Sequence, residues 1–342
     1  MNKKPTIIDV AAHAGVSKST VSLVVQNSPL VKDDTRKLVQ ESMKALNYVR
    51  NRAAATLRGS GTGLVGLVIN DLRNPFFTEF AASAQMAFSD HGLATVIANS
   101  NEDPKIQHQV IQSMLEHEVS ALLISPCYGD TKGTFDAIAQ SGIPTLQVLR
   151  QADMRADIFP FYSLDYGAGS QLAVEHLIGQ GIREIAFVGG EKGVAITSER
   201  MSAYQTGIID KGLQGHVFHG RATRVFGREV AFKLLREHPT VKAAICFNDL
   251  VALGMMSAFA QSGVVVGKDF FLIGFDDIEE CSHVYPQLSS VHCDIAEFGR
   301  QSSRIVLDWL ETGIQPMCPD RAPVHLEIRQ SSVVPSSLQS PE

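Results

Sequence analysis

Residues 9–27 read DVAAHAGVSKSTVSLVVQN, two short helical patterns joined at Gly15-Val16. Thr6, with Asp9 three residues on, has the spacing of a capping box, which starts the first helix and carries it to about Ala14. Gly15 ends that helix, and Ser17 caps a second one running to about Gln26. Val21, Val24 and Val25 share one face of the second helix, where they would pack on Val10 and Ala14. The other face carries Lys18, Ser19, Ser22 and Leu23, with Thr20 beside them. A helix, a tight glycine turn and a second helix make a helix-turn-helix, whose second helix can lie in the major groove of DNA. Small hydroxyls and a lysine can approach phosphates and base edges closely, which a bulky acidic face cannot. An ordinary helical hairpin fits the periodicity alone.

Charge sets the N-terminal region apart. The first 60 residues hold ten Lys and Arg against four Asp and Glu, a net +6, and the rest of the chain carries −12. A basic head on an acidic body points to a polyanion met by the head, although a solvated surface has the same composition. A length of 342 residues suits two or three domains. The five cysteines (Cys127, Cys246, Cys281, Cys293 and Cys318) form no CxxC pair and no metal-ligand spacing, as expected of reduced thiols in a cytosol. No apolar run reaches the ~20 residues of a membrane span. Lys3-Lys4-Pro5 leads into an acid-bearing helix and does not read as a secretory signal. A cytoplasmic protein with no metal, no cofactor and no membrane partner is expected.

A third helix from about Asp33 to Asn47, with Val39, Met43 and Leu46 on one face, completes an all-α head over residues 1–49. Residues 50–63, RNRAAATLRGSGTG, form a small Ala- and Gly-rich joint. From Leu64 the runs LVGLVI, ATVIA, ALLIS and TLQVL alternate with helical stretches such as 75–91 and 105–117. After Phe161 the alternation resumes with EIAFVGG, AAICF and FFLIGF, divided by helices near 167–180, 197–211, 226–238 and 249–262. Continuous apolar strands between helices imply parallel sheets covered on both faces, hence an α/β core of two similar lobes over residues 64–332. A helix at about 295–312 and a strand, PVHLEIRQ at 323–330, follow. The tail at 333–342 reads as disordered and has no leucine heptad for a coiled coil.

The head TIIDVAAHAGVSKSTVSLVVQN, followed by VKDDTRKLVQESMKALNYVRNRAAATLR, resembles the lactose/galactose repressor family of bacterial transcription regulators. The resemblance continues in NPFF at 74–77, FNDLVALG at 247–254, LIGFDD at 272–277 and the final PVHLEIRQSS. It implies a repressor that binds double-stranded operator DNA as a homodimer and answers to a small-molecule effector. In the head it assigns Thr6, Ser17, Lys18, Ser19, Thr20, Ser22, Leu23 and Asn27 to the DNA-facing set, with Lys18 and Ser19 in the base-reading places. Leu23 departs from the arginine common there, which offers a thymine-methyl contact instead. Tyr48, Asn51, Ala54 and Leu57 fit the family's hinge, which folds on DNA and wedges its leucine into the minor groove, although Arg50 replaces the frequent proline. So small a joint cannot bury enough apolar surface to fold alone, and disorder in the free protein is expected; an inert linker is the plainer alternative.

For the core, the resemblance implies a fold like that of periplasmic sugar-binding proteins, with a ligand between an N-lobe (64–161 and 293–320) and a C-lobe (162–292 and 321–332). Phe76 and Phe77 could stack on a ring, and Arg150, Arg200, Asn248, Asp249 and Asp276 sit where the family contacts its effector. Plainer readings stand beside these: a helix cap for Asn248-Asp249, a turn acid for Asp276, a lobe salt bridge for Arg200. Departures limit the ligand's identity. Ala222 stands where an aromatic usually stacks, unless Phe226 substitutes, and Cys293 replaces a frequent glutamine. A sugar or a sugar derivative such as a sugar phosphate is the leading expectation.

An enzyme fits poorly. Gly61 to Gly66 matches GxGxxG but precedes its strand, so it cannot set a pyrophosphate on a helix N-terminus. Gly263 to Lys268 is one residue short of a phosphate loop, and His117-Glu118 lacks the second histidine of a zinc protease. A sugar transport protein would account for the core but not for the helix-turn-helix.

Overall fold

The computed structural model describes residues 5–25, 28–48, 62–129, 131–318 and 320–333. Asn27, Asn51, Ala54 and Leu57, most of the 50–63 joint and the tail beyond Val333 lie outside the described residues. The chain divides into two units after Thr62.

The first unit holds α1 (Ile7–His13), α2 (Lys18–Val25) and α3 (Asp33–Ala45). Its capping box is formed: Thr6 Oγ1 accepts from the Asp9 amide at 3.4 Å, and the Thr6 amide donates to the Asp9 carboxylate at 2.7 Å. Gly15 holds φ +64, a left-handed turn that glycine adopts without cost. Val10, Val21 and Val39, one from each helix, are fully buried and joined by Ala11, Ala14, Val24 and Val31. This compact core fixes which face of α2 remains outside.

The second unit contains two sheets. The first joins β1 (Leu64–Ile69), β2 (Ala94–Asn99), β3 (Ala121–Ile124), β4 (Thr145–Val148) and β5 (Phe161–Tyr162) in the order β2-β1-β3-β4-β5, all parallel. The second joins β6 (Glu184–Val188), β7 (Gln214–Phe218), β8 (Ala243–Cys246), β9 (Phe271–Asp276), β10 (Ser289–His292) and β11 (His325–Glu327). Its order is β11-β10-β9-β8-β6-β7, so the parallel strands repeat the topology of the first sheet. Helices α4 (Pro75–Asp90), α5 (Pro104–Glu116) and α6 (Lys132–Ser141) belong to the first lobe. Helices α7 (Tyr166–Gly179), α8 (Ala195–Asp210), α9 (Arg224–Glu237), α10 (Asp249–Gln261) and the short α11 (Glu280–His283) belong to the second.

Helix α12 (Ile295–Thr312) returns to the first lobe and packs on α4, where Phe298 lies 5.7 Å from Phe80 and Gly299 leaves room for Ser83. The chain then crosses back, with Leu164 bridging Ala322 before β11. Three crossings therefore join the lobes.

Two details correct the sequence reading. The last strand covers only His325–Glu327 and is antiparallel to β10, so the second sheet is not wholly parallel. Pro323 lacks an amide hydrogen, and the Arg329 amide donates to Ser289 Oγ at 2.7 Å outside any ladder, which stops the strand early. Strands β5, β7 and β10 and helix α6 carried no clear signal, since QGHVF is a polar edge strand and SSVH hides buried serines. Among the described residues no helix is long and apolar enough to cross a membrane.

Candidate functional site

In the head, Ser17 caps α2. Its Oγ accepts from the Thr20 amide at 3.1 Å and lies 2.8 Å from both Ser19 Oγ and Thr20 Oγ1. Three hydroxyls thus ring the helix start, with Lys18 exposed among them. Ser22 is half-buried. Leu23, expected on the solvent face, is also half-buried and leans on the head's core, as its aliphatic side chain favours. Tyr48 leans on the same core, and Thr6 is spent in its capping box. Residues 5–48 hold five basic and four acidic side chains, so most of the head's positive surplus comes from Lys3, Lys4, Arg50, Arg52 and Arg58, outside the described residues.

In the core, the carboxyl ends of strands from both lobes line a cavity of about 390 Å³. Open α/β sheets bind ligands at such strand ends. Phe76 and Phe77 enter it from the start of α4, edge to face with ring centroids 5.3 Å apart. They stand there because Asn74 caps the helix and Pro75 fixes its first turn. Arg150 follows β4 and is already answered: it donates to both Glu102 carboxylate oxygens at 2.8 and 2.9 Å and lies 3.9 Å above the Tyr128 ring.

Arg200, on α8, is only 3% exposed. Its guanidinium lies 3.7, 4.5 and 4.6 Å from the ring centroids of Phe275, Tyr166 and Phe247. One amino group donates to the Phe247 carbonyl, another stands 3.9 Å from Asp276, and Nε has no hydrogen-bond partner among the described residues. An unmade buried donor costs about 1–3 kcal/mol, more for a charged group, so this one awaits an acceptor in the cavity. Asp276 ends β9 at φ +108, a conformation that costs a non-glycine residue roughly 1–3 kcal/mol and tends to mark functional sites. Burial pushes its carboxyl well above the usual range, Arg200 pulls it back, and Asp249 adds repulsion.

Two assignments at the next strand end separate. Asn248 reaches the cavity, yet its Oδ1 caps α10 through the Val251 amide at 3.1 Å and its Nδ2 donates to the Ala222 carbonyl at 3.4 Å. Asp249 does not line the cavity, which corrects the expectation for it. One helical residue turns the direction by about 100°, and the Asp249 carboxylate accepts from Ser290 Oγ at 2.6 Å and the Ile278 amide at 3.0 Å instead. Burial pushes it up to about 7. Phe226 does not replace the missing aromatic either: its ring fills the space over Gly220, and only Ala222 lines the cavity.

The structure adds residues that sequence reasoning missed. Asp71 receives two hydrogen bonds from Arg73, both at 2.8 Å, on the first-lobe lip. Arg221 and Arg224 stand on the opposite lip. Neither these two nor Glu102 and Tyr128 carried a local signal, and β7, the strand that precedes the arginines, had none either. The GxGxxG run enters β1 directly, with Gly66 inside the strand, so it is no nucleotide turn.

Comparison with known proteins agrees with this geometry. Residues 6–51 match the model of the lacI family of bacterial regulatory proteins, and residues 174–332 match a periplasmic binding protein-like domain. The maltose regulon regulatory protein MalI of Escherichia coli (strain K12) is 31% identical over 76% of this chain and 78% of its own. The ribose operon repressor of Halalkalibacterium halodurans is 28% identical over 96% of this chain and 97% of its own. A crystal structure of the lac repressor dimer bound to operator and the anti-inducer ONPF superposes with a TM-score of 0.85, at 26% identity, over 97% of this chain and all of that one. A helix-turn-helix head ahead of a two-lobed parallel-sheet core, matched along nearly its whole length by repressors, makes this chain a transcriptional repressor that belongs to the lacI family of bacterial regulatory proteins.

Proposed function

We propose that this repressor acts in the cytoplasm as a homodimer on a palindromic operator, and that a carbohydrate-like effector in the inter-lobe cavity sets its affinity for DNA. The observation that carries the effector reading is Arg200, buried beside the cavity with an unanswered Nε. Phe76 and Phe77 would hold one side of such a ligand and Arg200, Asn248 and Asp276 the other, with Arg150 bracing the first-lobe wall. A ligand touching both lobes favours one lobe arrangement, and that preference is all that linkage to DNA binding requires. Relatives named for a ribose operon and a maltose regulon favour a sugar or a derivative of one.

A dimer is supported by apolar surface that a lone chain leaves in water. Val96 and Ile97 are exposed on the edge strand β2, Met86 on α4 and Tyr285 on the second lobe. On DNA, α2 would read the major groove through Lys18 and Ser19, with Ser17, Thr20, Ser22 and Leu23 beside them and Thr6, Asn27 and Tyr48 in support. Asn51, Ala54 and Leu57 would reach the minor groove.

Selection of binding sites from random duplex DNA, followed by sedimentation of the complex, tests the reading. Paired inverted half-sites and two chains per site are expected. Lys18→Ala should weaken the selected site by about 1–3 kcal/mol while leaving binding to unrelated DNA nearly unchanged. A single chain on the site, or equal losses on both DNAs, would overturn it.

A further inference from the structure

We propose that the ligand of this cavity carries a compact anionic group, phosphate or carboxylate, on a polyhydroxyl body, and that Arg221 and Arg224 receive that group. The proposal rests on the cavity being the effector site and narrows what the effector is.

The acids and guanidiniums on the cavity wall do not balance in use. In the first lobe both are spent on each other, Asp71 with Arg73 and Glu102 with Arg150. In the second lobe the donors are left over. Arg221 approaches Glu191 only to 4.0 Å, and Arg224 approaches Glu280 only to 3.7 Å. Charge-assisted hydrogen bonds lie at about 2.7–2.9 Å, so neither arginine is engaged. With 60% and 49% of these side chains exposed, such loose pairs hold little. Deeper in the same cavity, Arg200 Nε is buried and unanswered.

The shape agrees with the charge. Arg221 and Arg224 flank Ala222 and Thr223 at the start of α9, and Thr223 is fixed as its cap by the Phe226 amide at 3.2 Å. Ala222 lines the same cavity, and its methyl takes up less of it than a larger side chain would. Arg221 also faces the opposite lobe. Although burial works against it, Arg73 and behind it Arg221 hold the Asp71 carboxyl below its usual range. A guanidinium offers two parallel donors that fit phosphate or carboxylate. A neutral polyol makes no use of that surplus, whereas Asp276 and Asn248 remain to meet hydroxyls.

The test uses the full chain at constant ionic strength set with potassium chloride. Inorganic phosphate, acetate, glucose, glucose 6-phosphate and gluconate are titrated by calorimetry and by thermal melting. Saturable binding of phosphate with glucose 6-phosphate, or of acetate with gluconate, is expected, and whichever pair binds identifies the anion. The R221Q/R224Q double variant should weaken that binding at least about tenfold, R221K/R224K should fall between, and Arg236→Gln, elsewhere on α9, should change nothing. No saturable response to any anionic probe, or an equal response in R221Q/R224Q, overturns the proposal. If glucose binds, loses its binding in Arg200→Gln and keeps it in R221Q/R224Q, the anionic group is wrong while the cavity remains the effector site. If Arg200→Gln alters no probe that binds, the cavity reading fails and this proposal with it.

Discussion

The parallel strands of the two lobes share one order, and each lobe lines the cavity with an enclosed arginine, but they treat the two arginines differently. Arg150 in the first lobe meets a carboxylate through two short hydrogen bonds and lies on a tyrosine ring. Arg200 in the second lobe is enclosed by three rings, stands 3.9 Å from its nearest acid and keeps one N–H unanswered. Identical topology therefore does not mean identical use. An arginine whose donors are satisfied within the protein is part of the wall, and one whose donors are not satisfied is held ready for something else.

The largest expected effect tests that division directly. Arg200→Gln should weaken effector binding about a hundredfold, the scale of one charge-assisted interaction at a desolvated site. Arg150→Gln should weaken it less than about tenfold. Stability should rank the other way. Removing Arg150 strands the part-buried Glu102, which costs about 3 kcal/mol or more when a buried pair is broken. Removing Arg200 takes away the charge that pulls the raised Asp276 carboxyl back down, so that carboxyl shifts further toward its protonated form. Calorimetric titration and denaturant melts of the two variants check both rankings. A greater loss of affinity from Arg150→Gln would break the comparison.

The same division accounts for how much could be read from the sequence. The fold of the head was legible because its helices are short and consecutive, and a period of 3.6 sorts core from surface. Arg200, Asn248 and Asp276 could be singled out because each stands in a motif, with Asn248 at a helix start and Asp276 at a strand end. Their partners were not. Glu102, Tyr128, Arg221 and Arg224 acquire meaning only when strands far apart in sequence are laid side by side, and nothing local distinguishes them. Asp249 shows the opposite failure, since its motif was read correctly but a single helical step aims its side chain under the sheet. Leu23, read on the solvent face, is half-buried against the head's core, because a face assignment ignores how far a flexible apolar side chain can fold back.

Asp249 also supplies the next expected effect. Its carboxyl is pushed up to about 7 in the folded protein, against about 3.9 in an unfolded chain. The folded state therefore binds the proton more tightly. Its contribution to stability is fully present below pH ~4 and is lost as pH rises to about 7, by at most about 1.4 kcal/mol per pH unit for one proton. Asp276, raised for the same reason, adds to the slope in the same direction. Asp249→Asn should flatten the decline between pH 4 and 7 without removing it, as read from urea melts across that range. An unchanged slope would mean that Asp249 takes up no extra proton on folding.

The smallest expected effect concerns the hydroxyl that answers Asp249 in place of a guanidinium. Ser290 Oγ donates to the carboxylate at 2.6 Å and accepts from the Asp277 amide at 3.1 Å. The first of these bonds favours the ionised acid and pulls its titration down against the effect of burial. Ser290→Ala removes it, so the folded-state titration of Asp249 should move up by less than about one pH unit. The decline in stability would then continue to a higher pH before levelling off. Loss of the Asp277 contact lowers the whole curve by about 1 kcal/mol but is independent of pH, so it does not move the point where the curve levels. The two consequences can therefore be separated in a single series of melts. A levelling point that stays in place or moves to lower pH would show that Ser290 does not tune the acid and that burial alone raises it.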